Sequence, residues 1–477
     1  MADAVEIVDK SDAIVNEIAK LTERIYVKEN KAMNDLCHKQ TAVYNQALWY
    51  LRQEFFNLGD DWKIVTNKNG EEKQVSAGFL TFYDLNDKSM LKWKQCYRDA
   101  IPLCAANTIQ RVCDSWKSYW KALKAYSKNQ IDFTGKPKMP GYISKNDKSP
   151  VYFTYVQFSI KDKLIHFPRN TNFGDIKIPR LNDQNYKQLP IVKQIRIIPC
   201  KMGGYWVECV HDVSIEPADV NEENVMGIDL GMNNIATIVD NLGNQPIMFS
   251  GNEAKTINHW YNIEIAKLKK NFARSNPRLA ELQRKRETGL SPDEWHELKS
   301  LLQNTKQMNV ITEKRNRRIN KIFHDISKRI IDIAVERKIG TIVVGHNEGQ
   351  KQNLDKGRRF NQNFGQLPIF KLIQKLRYKA ELHGINIVEI TEEFTSKASC
   401  IDGDDLPDRR TVKKKENGHS DIEFSGKRTK RGLYISKNGT QIHADVNGAY
   451  NILRKGCPEA LGLNGMGARL YPKQETI

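Results

Sequence analysis

The length, composition and charge of the chain restrict its possible functions. At 477 residues the chain is too long for one ordinary hydrophobic core, so we expect two to four domains. Its 75 Lys and Arg against 57 Asp and Glu give a formal net charge of +18, which favours a polyanionic partner such as nucleic acid over an acidic small molecule. The sequence has no apolar run of about 18 residues and no signal peptide at its start, which predicts a soluble, intracellular protein with no membrane partner.

The spacing of the eight cysteines limits the chemistry they can support. No two of them stand at the CxxC spacing of a zinc knuckle, and no disulfide framework is indicated. We therefore expect reduced thiols that mostly pack in the interior, at Cys37, Cys96, Cys104, Cys113, Cys200, Cys209, Cys400 and Cys457.

The first part of the chain, from about Lys31 to Ser127, has a helical pattern. In the stretch NTIQRVCDSWKSYWKALKAY the apolar residues form one helical stripe, made of Ile109, Val112, Trp116, Trp120 and Leu123. We expect this stripe to lie in the core rather than to serve as a platform for base stacking. After the Pro- and Gly-rich stretch GKPKMPGY, short β-rich pieces such as PVYFTYVQFSI predict a barrel or sandwich of about 75 residues.

A third region begins after the acidic stretch EPADVNEEN and has a different order of elements. Apolar runs at 225–230, 235–241 and 245–250 predict consecutive strands joined by turns. Basic helical segments follow to about Lys338, and the last of them has a stripe that we expect to be buried, made of Ile319, Ile322, Phe323, Ile326, Ile330, Ile333 and Ala334. Then come a strand TIVVG, a helix closed by Gly384, a strand INIVEI and a last helix DVNGAYNILRKG. This order of strands and helices is that of the ribonuclease H architecture.

Two aspartates of this third region stand at positions suited to metal-dependent chemistry. Hydrolysis of a phosphodiester is well served by two divalent cations about 4 Å apart, and Mg²⁺ takes carboxylate ligands. Asp229 ends the first strand and Asp445 opens the last helix, so this topology predicts that the two side chains converge. Taken singly, Asp229 could be a turn residue and Asp445 a helix N-cap.

Several stretches resemble the motifs of one family. GIDLGMNNIAT, IFHDISKRIIDIA, IVVG, EEFTSKAS and ADVNGAYNILRK are similar, in this order, to the RuvC-nuclease motifs of TnpB, the RNA-guided nuclease of insertion sequences and ancestor of type V CRISPR effectors. The similarity continues upstream and covers nearly the whole chain. It implies a multidomain α+β and α/β fold, in which a helical recognition domain is inserted in an oligonucleotide-binding wedge β-barrel and a RuvC domain of ribonuclease H type follows.

The resemblance implies a division of the chain into six segments. These are an N-terminal segment with the first wedge strand (1–30), the helical recognition domain (31–135), the wedge barrel (136–220), the RuvC domain with its basic helical insertion (221–395), a degenerate target-nucleic-acid-binding insertion (396–440), and the last RuvC helix with the tail (441–477).

The third carboxylate of the site departs from the commoner family pattern. Where that pattern has a glutamate at the end of the strand TIVVG, this chain has Gly345, which offers no metal ligand. A TnpB subgroup and its eukaryotic Fanzor relatives carry the glutamate just before a Thr-Ser-Lys, and Glu392 is the best match to that pattern. We expect the strand before Glu392 to run beside the first strand, with its end near Asp229. Glu393 and Glu348 stay open as alternatives.

The segment between this glutamate and the last helix also departs from the family. Most relatives carry a four-cysteine zinc ribbon there, whereas this chain has only Cys400, so we expect no zinc. The segment is instead basic, and its cations either hold the DNA near the site or form an ordinary solvated charge run. Together with cations of the helical insertion, the candidate nucleic-acid-binding residues are Arg315, Arg317, Arg318, Lys321, Lys328, Arg329, Lys413, Lys414, Lys415, Lys427, Arg428, Lys430 and Arg431.

The resemblance implies an RNA-guided DNA endonuclease in the bacterial cytoplasm, associated with the nucleoid. Asp229, Glu392 and Asp445 are expected to be both the catalytic residues and the ligands of two Mg²⁺ ions, which Mn²⁺ can replace. The expected partners are a guide RNA and double-stranded target DNA next to a short recognised motif, and a monomer is favoured. The alternative is a chain that has lost its nuclease activity and represses transcription by guided DNA binding.

Overall fold

The computed structural model describes residues 18–57, 62–66, 72–76, 80–87, 94–130, 133–162, 164–178, 192–215, 217–286, 288–346, 365–407, 423–430, 432–460 and 470–475. The fold is mixed α/β, with long helices and several sheets. Two compact units divide the chain, one over Lys20–Val213 and the other within Ser214–Ile477. Within the described ranges, none of the helices combines the length and the apolar character needed to cross a membrane.

The first unit combines small antiparallel sheets with helices. Its strands are β1 (Ile18–Val27), β2 (Trp62–Thr66), β3 (Glu72–Ser76), β4 (Val151–Thr154), β5 (Ser159–Lys161), β6 (Leu164–His166), β7 (Ile176–Lys177), β8 (Val192–Pro199) and β9 (Tyr205–Ser214). Its helices are α1 (Lys31–Asn57), α2 (Phe82–Asp87), α3 (Gln95–Asp99) and α4 (Pro102–Lys128). The strands form one sheet of order β1-β9-β8-β4, a second of order β5-β6-β7, and the hairpin β2-β3.

Helix α4 carries the apolar stripe predicted from the sequence. Ile109, Val112 and Trp116 are buried, and Trp120 packs at the edge of the same core. Residues of α1, among them Leu48, complete this core, because two amphipathic helices bury their apolar faces against each other. The prediction that the stripe forms core is confirmed for these four residues, whereas its fifth member, Leu123, is only half-buried and lies outside this core. The division of this unit into a recognition domain and a wedge barrel at 135/136 stays a prediction.

The second unit contains the elements predicted for the third region, in the predicted order. Its strands are β10 (Asn221–Leu230), β11 (Asn234–Asp240), β12 (Ile247–Ser250), β13 (Ile339–Gly345), β14 (Asn386–Ile390), β15 (Lys427–Lys430), β16 (Leu433–Ile435), β17 (Gln441–His443) and β18 (Lys473–Glu475). Its helices are α5 (Asn252–Arg274), α6 (Pro277–Lys285), α7 (Pro292–Leu301), α8 (Lys306–Glu336), α9 (Ile369–Glu381) and α10 (Ala444–Gly456).

The central sheet of this unit has the order β14-β13-β10-β11-β12-β18. β10 pairs antiparallel with β11 on one edge and parallel with β13 on the other, and β13 also pairs parallel with β14. The prediction that the strand before Glu392 runs beside the first strand is therefore wrong. Both edges of β10 are already occupied by β11 and β13, and β14 is added at the outer edge of β13.

The two faces of this sheet are covered by different helices. Met226 and Ile228 point to a core shared with α5, α8 and α9, and all seven residues of the predicted α8 stripe are buried there, namely Ile319, Ile322, Phe323, Ile326, Ile330, Ile333 and Ala334. Val225 and Val343 point to the opposite face, which α10 covers. A Cβ at Gly227 would lie 2.6 Å from the carbonyl oxygen of Ala449, so this glycine lets α10 pack directly on the strand.

Candidate active site

Asp229 lies near the end of β10 and faces the last helix. It stands two residues after Gly227, and side chains two apart share one face of a strand. A Cβ at Gly448 of α10 would lie 3.0 Å from Oδ2 of Asp229, so the missing side chain at Gly448 makes room for this carboxylate. Asp445 stands one helical turn before Gly448 and therefore shares its face. The structure thus brings Asp229 and Asp445 to one place.

Three polar groups fix the position of Asp445. The side-chain amide of Asn234 donates a hydrogen bond to Oδ2 of Asp445 at 2.7 Å, and Nη2 of Arg428 lies 3.3 Å from Oδ1. The backbone N–H of Asp445 donates to Nδ1 of His443 at 3.3 Å, so His443 is the N-cap of α10. Because the cap is provided by His443, the carboxylate of Asp445 is left to interact with other groups.

Glu392 occupies the space that a side chain at position 345 would need. In the parallel pairing of β10 with β13, Ile228 lies beside Val344, which places Asp229 level with Gly345. A Cβ at Gly345 would lie 2.8 Å from Cγ of Glu392 and 2.5 Å from Cδ1 of Ile452. Glu392 therefore reaches the edge of the site by crossing over Gly345, although β14 is not adjacent to β10. The alternative Glu348 lies outside the described residues.

Buried asparagines of α10 hold the loop that follows Glu392. Asn451 donates hydrogen bonds to the carbonyl oxygens of Thr395 and Ala398 at 2.9 and 2.7 Å. Asn447 donates to the carbonyl oxygen of Ala398 at 2.8 Å and accepts from the backbone N–H of Cys400 at 2.9 Å. These bonds fix the loop against the same helix that carries Asp445. In the sequence, these bonds are indicated only by two asparagines that stand four residues apart on the buried face of a helix.

The charges around Asp229 form a coupled group. Burial raises the pKa of Asp229 well above its usual range, and the negative charges of Glu392 and Asp445 raise it further, whereas Arg428 acts in the opposite direction. Thr237 is the direct cross-strand partner of Asp229. Its buried hydroxyl has no hydrogen-bond partner within the described part of the chain.

This arrangement is chemically suited to a hard divalent cation. Carboxylates from three separate elements offer the oxygen ligands that Mg²⁺ and Mn²⁺ prefer, and the buried negative charge of Asp229 is under-compensated by Arg428 alone. Among the described residues, no three His, Cys, Asp or Glu side chains already form a closed metal-binding cluster. Like charges repel, so we expect the three carboxylates to draw together only around a cation.

The raised pKa of Asp229 leads to a prediction about stability. A carboxyl whose folded pKa lies above its unfolded value adds stability at low pH, and this contribution is lost as the pH rises towards the folded pKa. In metal-free buffer, Asp229→Asn should therefore raise the melting temperature more at about pH 8 than at about pH 5. Asp293→Asn, an exposed control on α7, should show no such trend. Equal shifts for Asp229→Asn at both pH values would contradict the assignment.

The predicted nucleic-acid-binding cations of α8 differ in their surroundings. Arg315 is half-buried, and its guanidinium donates to Asn258 Oδ1 at 2.8 Å. Three of these cations form ion pairs with carboxylates. Lys321 pairs with Asp325 at 2.6 Å, and Lys328 pairs with Asp332 at 2.7 Å. Arg329 pairs with Glu475 at 2.5 Å. Arg317 and Arg318 are exposed, and Arg318 lies over the ring of Trp260.

The predicted cations near the last helix lie partly outside the described residues. Lys413, Lys414, Lys415 and Arg431 are among the residues that the structure does not describe. Lys427, Arg428 and Lys430 lie on β15, whose side chains are all exposed. Because Arg428 reaches Asp445, this strand is the basic element next to the carboxylates. The role of all these cations in binding nucleic acid stays a prediction.

The cysteines are free thiols, and Cys400 illustrates their environment. Cys400 is buried in the core beneath α10, and burial raises the pKa of its thiol to about 12. A thiol with such a pKa is protonated at neutral pH and suits packing rather than metal binding. The expectation that the segment 396–440 binds no zinc stays a prediction.

Comparison with known proteins finds two stretches of this chain that match family profiles. Residues 207–351 match the profile of the OrfB_IS605 family, described as a probable transposase. Residues 370–452 match the profile of the TNB domain of Cas12f1-like proteins. The TnpB-like protein ORF457 of Acidianus two-tailed virus is 25% identical over 242 residues, which cover 51% of this chain and 44% of that protein. The match thus spans less than half of the relative's length.

Solved structures of similar chains have also been found. The structure titled as a Cas12f1–sgRNA–target DNA complex is 16% identical, covers 88% of this chain and 81% of that chain, and has a TM-score of 0.48. The mini-RNA-guided endonuclease CRISPR-Cas_phi3 is 10% identical, with coverage of 96% and 95% and a TM-score of 0.42.

The family profiles and the viral relative show what parts of this chain are similar to. Both profiles and the relative belong to one group, that of the insertion-sequence TnpB proteins and the Cas12f1-like effectors. The resemblance to the TnpB family that was predicted from the sequence motifs is confirmed by these matches.

Proposed function

We propose that this protein is an RNA-guided DNA endonuclease that hydrolyses target DNA at a metal-dependent RuvC-type site. The observation that carries the proposal is the coupling of Asp229 with Glu392 and Asp445, which come from three elements more than 50 residues apart in sequence. Carboxylates gathered around a buried one repel each other, and a bound cation would compensate their charge. Sites of this kind are typical of phosphoryl-transfer chemistry.

The three carboxylates share one part in the proposed site, and two neighbouring side chains have parts of their own. Asp229, Glu392 and Asp445 would hold two divalent cations, which supply an activated water and neutralise charge on the leaving oxygen. Asn234 orients one oxygen of Asp445. Arg428 pairs with this carboxylate, and because its side chain is 38% exposed, its planar guanidinium would also be able to bind a phosphate oxygen of the incoming strand.

The partners follow from charge and family. The net charge of +18 favours a polyanionic partner, and the resemblance to TnpB implies that one such partner is a guide RNA. Pairing between guide and target would supply sequence specificity, while the protein would recognise a short adjacent DNA motif and the shape of the heteroduplex. Binding should therefore be strongly salt-dependent, because phosphate contacts release counterions.

The proposal is tested by plasmid cleavage. The protein is purified with its associated RNA, the RNA is sequenced, and a supercoiled plasmid carrying the matching target is incubated with the complex and Mg²⁺. Nicking or linearisation of the matched plasmid, but not of a mismatched one, is the expected result. Retardation of the plasmid without any cut would support the alternative, a guided DNA-binding protein without nuclease activity.

Asn234→Ala should weaken the site without removing a carboxylate. Residues that orient a metal ligand typically contribute about 10- to 100-fold in metal affinity or activity, so we expect a cleavage rate lower by that factor. The Mg²⁺ concentration needed for half-maximal cleavage should rise, whereas guided DNA binding should be unchanged. Asn234→Asp tests the role further, since a carboxylate cannot donate to Asp445. An unaltered Mg²⁺ requirement in Asn234→Ala would show that this hydrogen bond does not position Asp445.

A further inference from the structure

The turn that follows β14 contains a residue with an unusual backbone conformation. Phe394 has a φ angle of +64°, in the left-handed region. This region is costly for a bulky residue, because its Cβ then crowds a neighbouring carbonyl oxygen, whereas Gly, Asn and Asp adopt it more readily. Asp162 and Asn172, which also have positive φ angles, fit this rule. Phe394 does not, and it stands two residues after the proposed metal ligand Glu392.

Phe394 lies in a tight turn that begins at Glu392. The backbone N–H of Thr395 donates to the carbonyl oxygen of Glu392 at 3.3 Å, and the hydroxyl of Thr395 donates to the same oxygen at 2.9 Å. Phe394 is therefore the third residue of a four-residue turn, where a positive φ angle normally requires Gly or Asn. The backbone N–H groups of Lys397 and Ala398 both donate to the carbonyl oxygen of Phe394 at 2.9 Å. These bonds hold the backbone on both sides of the left-handed residue.

Both ends of this turn are anchored in the second unit. Before the turn, β14 ends beside Gly345 of β13. After it, the side chain of Asn451 on α10 donates to the carbonyl oxygen of Thr395 at 2.9 Å. Only four residues, the last of which is Phe394, connect β14 to Thr395. Because this connection is short, a change of Phe394 to a negative φ angle would redirect the chain and move Glu392 from its place over Gly345.

The ring of Phe394 provides a contact that maintains this costly conformation. It packs on the ring of Phe424 with 6.0 Å between the ring centroids, and both residues are half-buried. Phe424 is itself held, because the backbone N–H of its neighbour Ser425 donates to Oδ2 of Asp404 at 3.0 Å. An aromatic pair at this distance stabilises the fold beyond the area that it buries. The pair therefore offsets part of the cost of the left-handed conformation.

We propose that Phe394 is a positioning residue of the metal site, which places the carboxylate of Glu392 beside Asp229 by keeping this turn in its left-handed form. This inference rests on the proposed function. Phe394 acts through the backbone of Glu392 rather than by contact with the metal ions. Strained backbone conformations cluster at functional sites, where the surrounding structure maintains them. The turn supplies the fixed backbone from which the carboxylate of Glu392 reaches a cation.

The first test compares substitutions that differ in their tolerance of a positive φ angle. The full chain is titrated with Mn²⁺, and binding is followed by electron paramagnetic resonance. Phe394→Val should bind Mn²⁺ about tenfold more weakly than the wild type, because a β-branched residue disfavours the left-handed region. Phe394→Asn and Phe394→Gly should stay within about threefold of the wild type, since both accept this conformation. Phe394→Tyr keeps the ring and should match the wild type.

The order of these variants separates positioning from packing. Val retains more of the apolar surface of Phe394 than Asn or Gly does, so a residue that only filled space would show the smallest effect with Val. Mn²⁺ affinities that fall in the order of lost apolar surface, or that follow the melting temperatures of the variants, would overturn the inference. Equal Mn²⁺ affinity in Phe394→Val and the wild type would overturn it as well.

A rescue experiment tests the same inference without Phe394→Val, should that variant not fold. Phe424→Ala removes the ring that supports Phe394, and it should weaken Mn²⁺ binding about 3- to 10-fold. Adding Phe394→Gly to Phe424→Ala should restore the affinity of Phe394→Gly alone, because Gly needs no packing to adopt a positive φ angle. A double variant that binds no better than Phe424→Ala would contradict the inference. If the wild type neither binds Mn²⁺ nor cleaves a matched target, the proposed function itself fails.

Discussion

Replacing Asp229 or Asp445 with Ala is expected to reduce DNA cleavage by at least about 10³-fold, because either change removes a ligand from the proposed pair of metal ions. Binding of guide RNA and of the matched target should stay nearly unchanged, since phosphate and heteroduplex contacts use other groups. Cleavage and gel retardation are measured on the same target with the same complex.

The control for these variants is Asp293→Ala, which removes an exposed carboxylate at the start of α7. It should cleave like the wild type. A fall in target binding that parallels the fall in cleavage would mean that Asp229 and Asp445 act through the fold or through recognition. Asp229→Ala should also fold, because loss of a buried charge with a raised pKa removes repulsion rather than an attractive contact.

Glu392→Ala is expected to match the aspartate variants, whereas Glu393→Ala and Glu348→Ala should keep most of the activity. The reason is that the side chain of Glu392 lies over Gly345 beside the end of β10 and lowers the tendency of Asp229 to ionise. Glu393→Ala and Glu348→Ala serve as matched controls, because each removes one carboxylate, as Glu392→Ala does. An active Glu392→Ala together with an inactive Glu393→Ala or Glu348→Ala would move the third ligand to that other residue.

The overlap of Gly345 and Glu392 allows a rescue experiment. Gly345→Glu alone should be inactive and less stable, because its Cβ would meet both Glu392 and Cδ1 of Ile452. Combining Gly345→Glu with Glu392→Ala removes the first clash, and Ile452→Val removes the second at a cost of about 1 kcal/mol. We expect weak cleavage to return in this triple variant. If it is folded but inactive, the two positions do not serve the same metals.

The strand order and the helical stripe of α8 show how far the sequence could predict this fold. The stripe has strict helical spacing, and Asp229 and Asp445 stand at element ends whose place in the topology is set by the order of strands. The prediction that β14 runs beside β10 was wrong, because the order of the strands in the sequence does not indicate which edge of a strand is still free. The edges of β10 were already taken by β11 and β13, which only the pairing shows.

The site was predictable in its carboxylates but not in its supporting contacts. Glu392 occupies the space beside Gly345, a residue far from it in sequence. The spacing of residues along the chain does not indicate this contact. The pairing of Lys321 and Lys328, in contrast, has a visible signal, since an aspartate follows each of them by four residues.

The most direct test of the central claim is a titration of the full chain with Mn²⁺, followed by electron paramagnetic resonance. The claim is that Asp229, Glu392 and Asp445 form one metal site. We expect Mn²⁺ to bind to the wild type and to Glu393→Ala. Its affinity should be at least about tenfold weaker in Asp229→Ala, Glu392→Ala and Asp445→Ala. Undiminished Mn²⁺ binding in Glu392→Ala, with binding lost in Asp229→Ala, would contradict a shared three-carboxylate site.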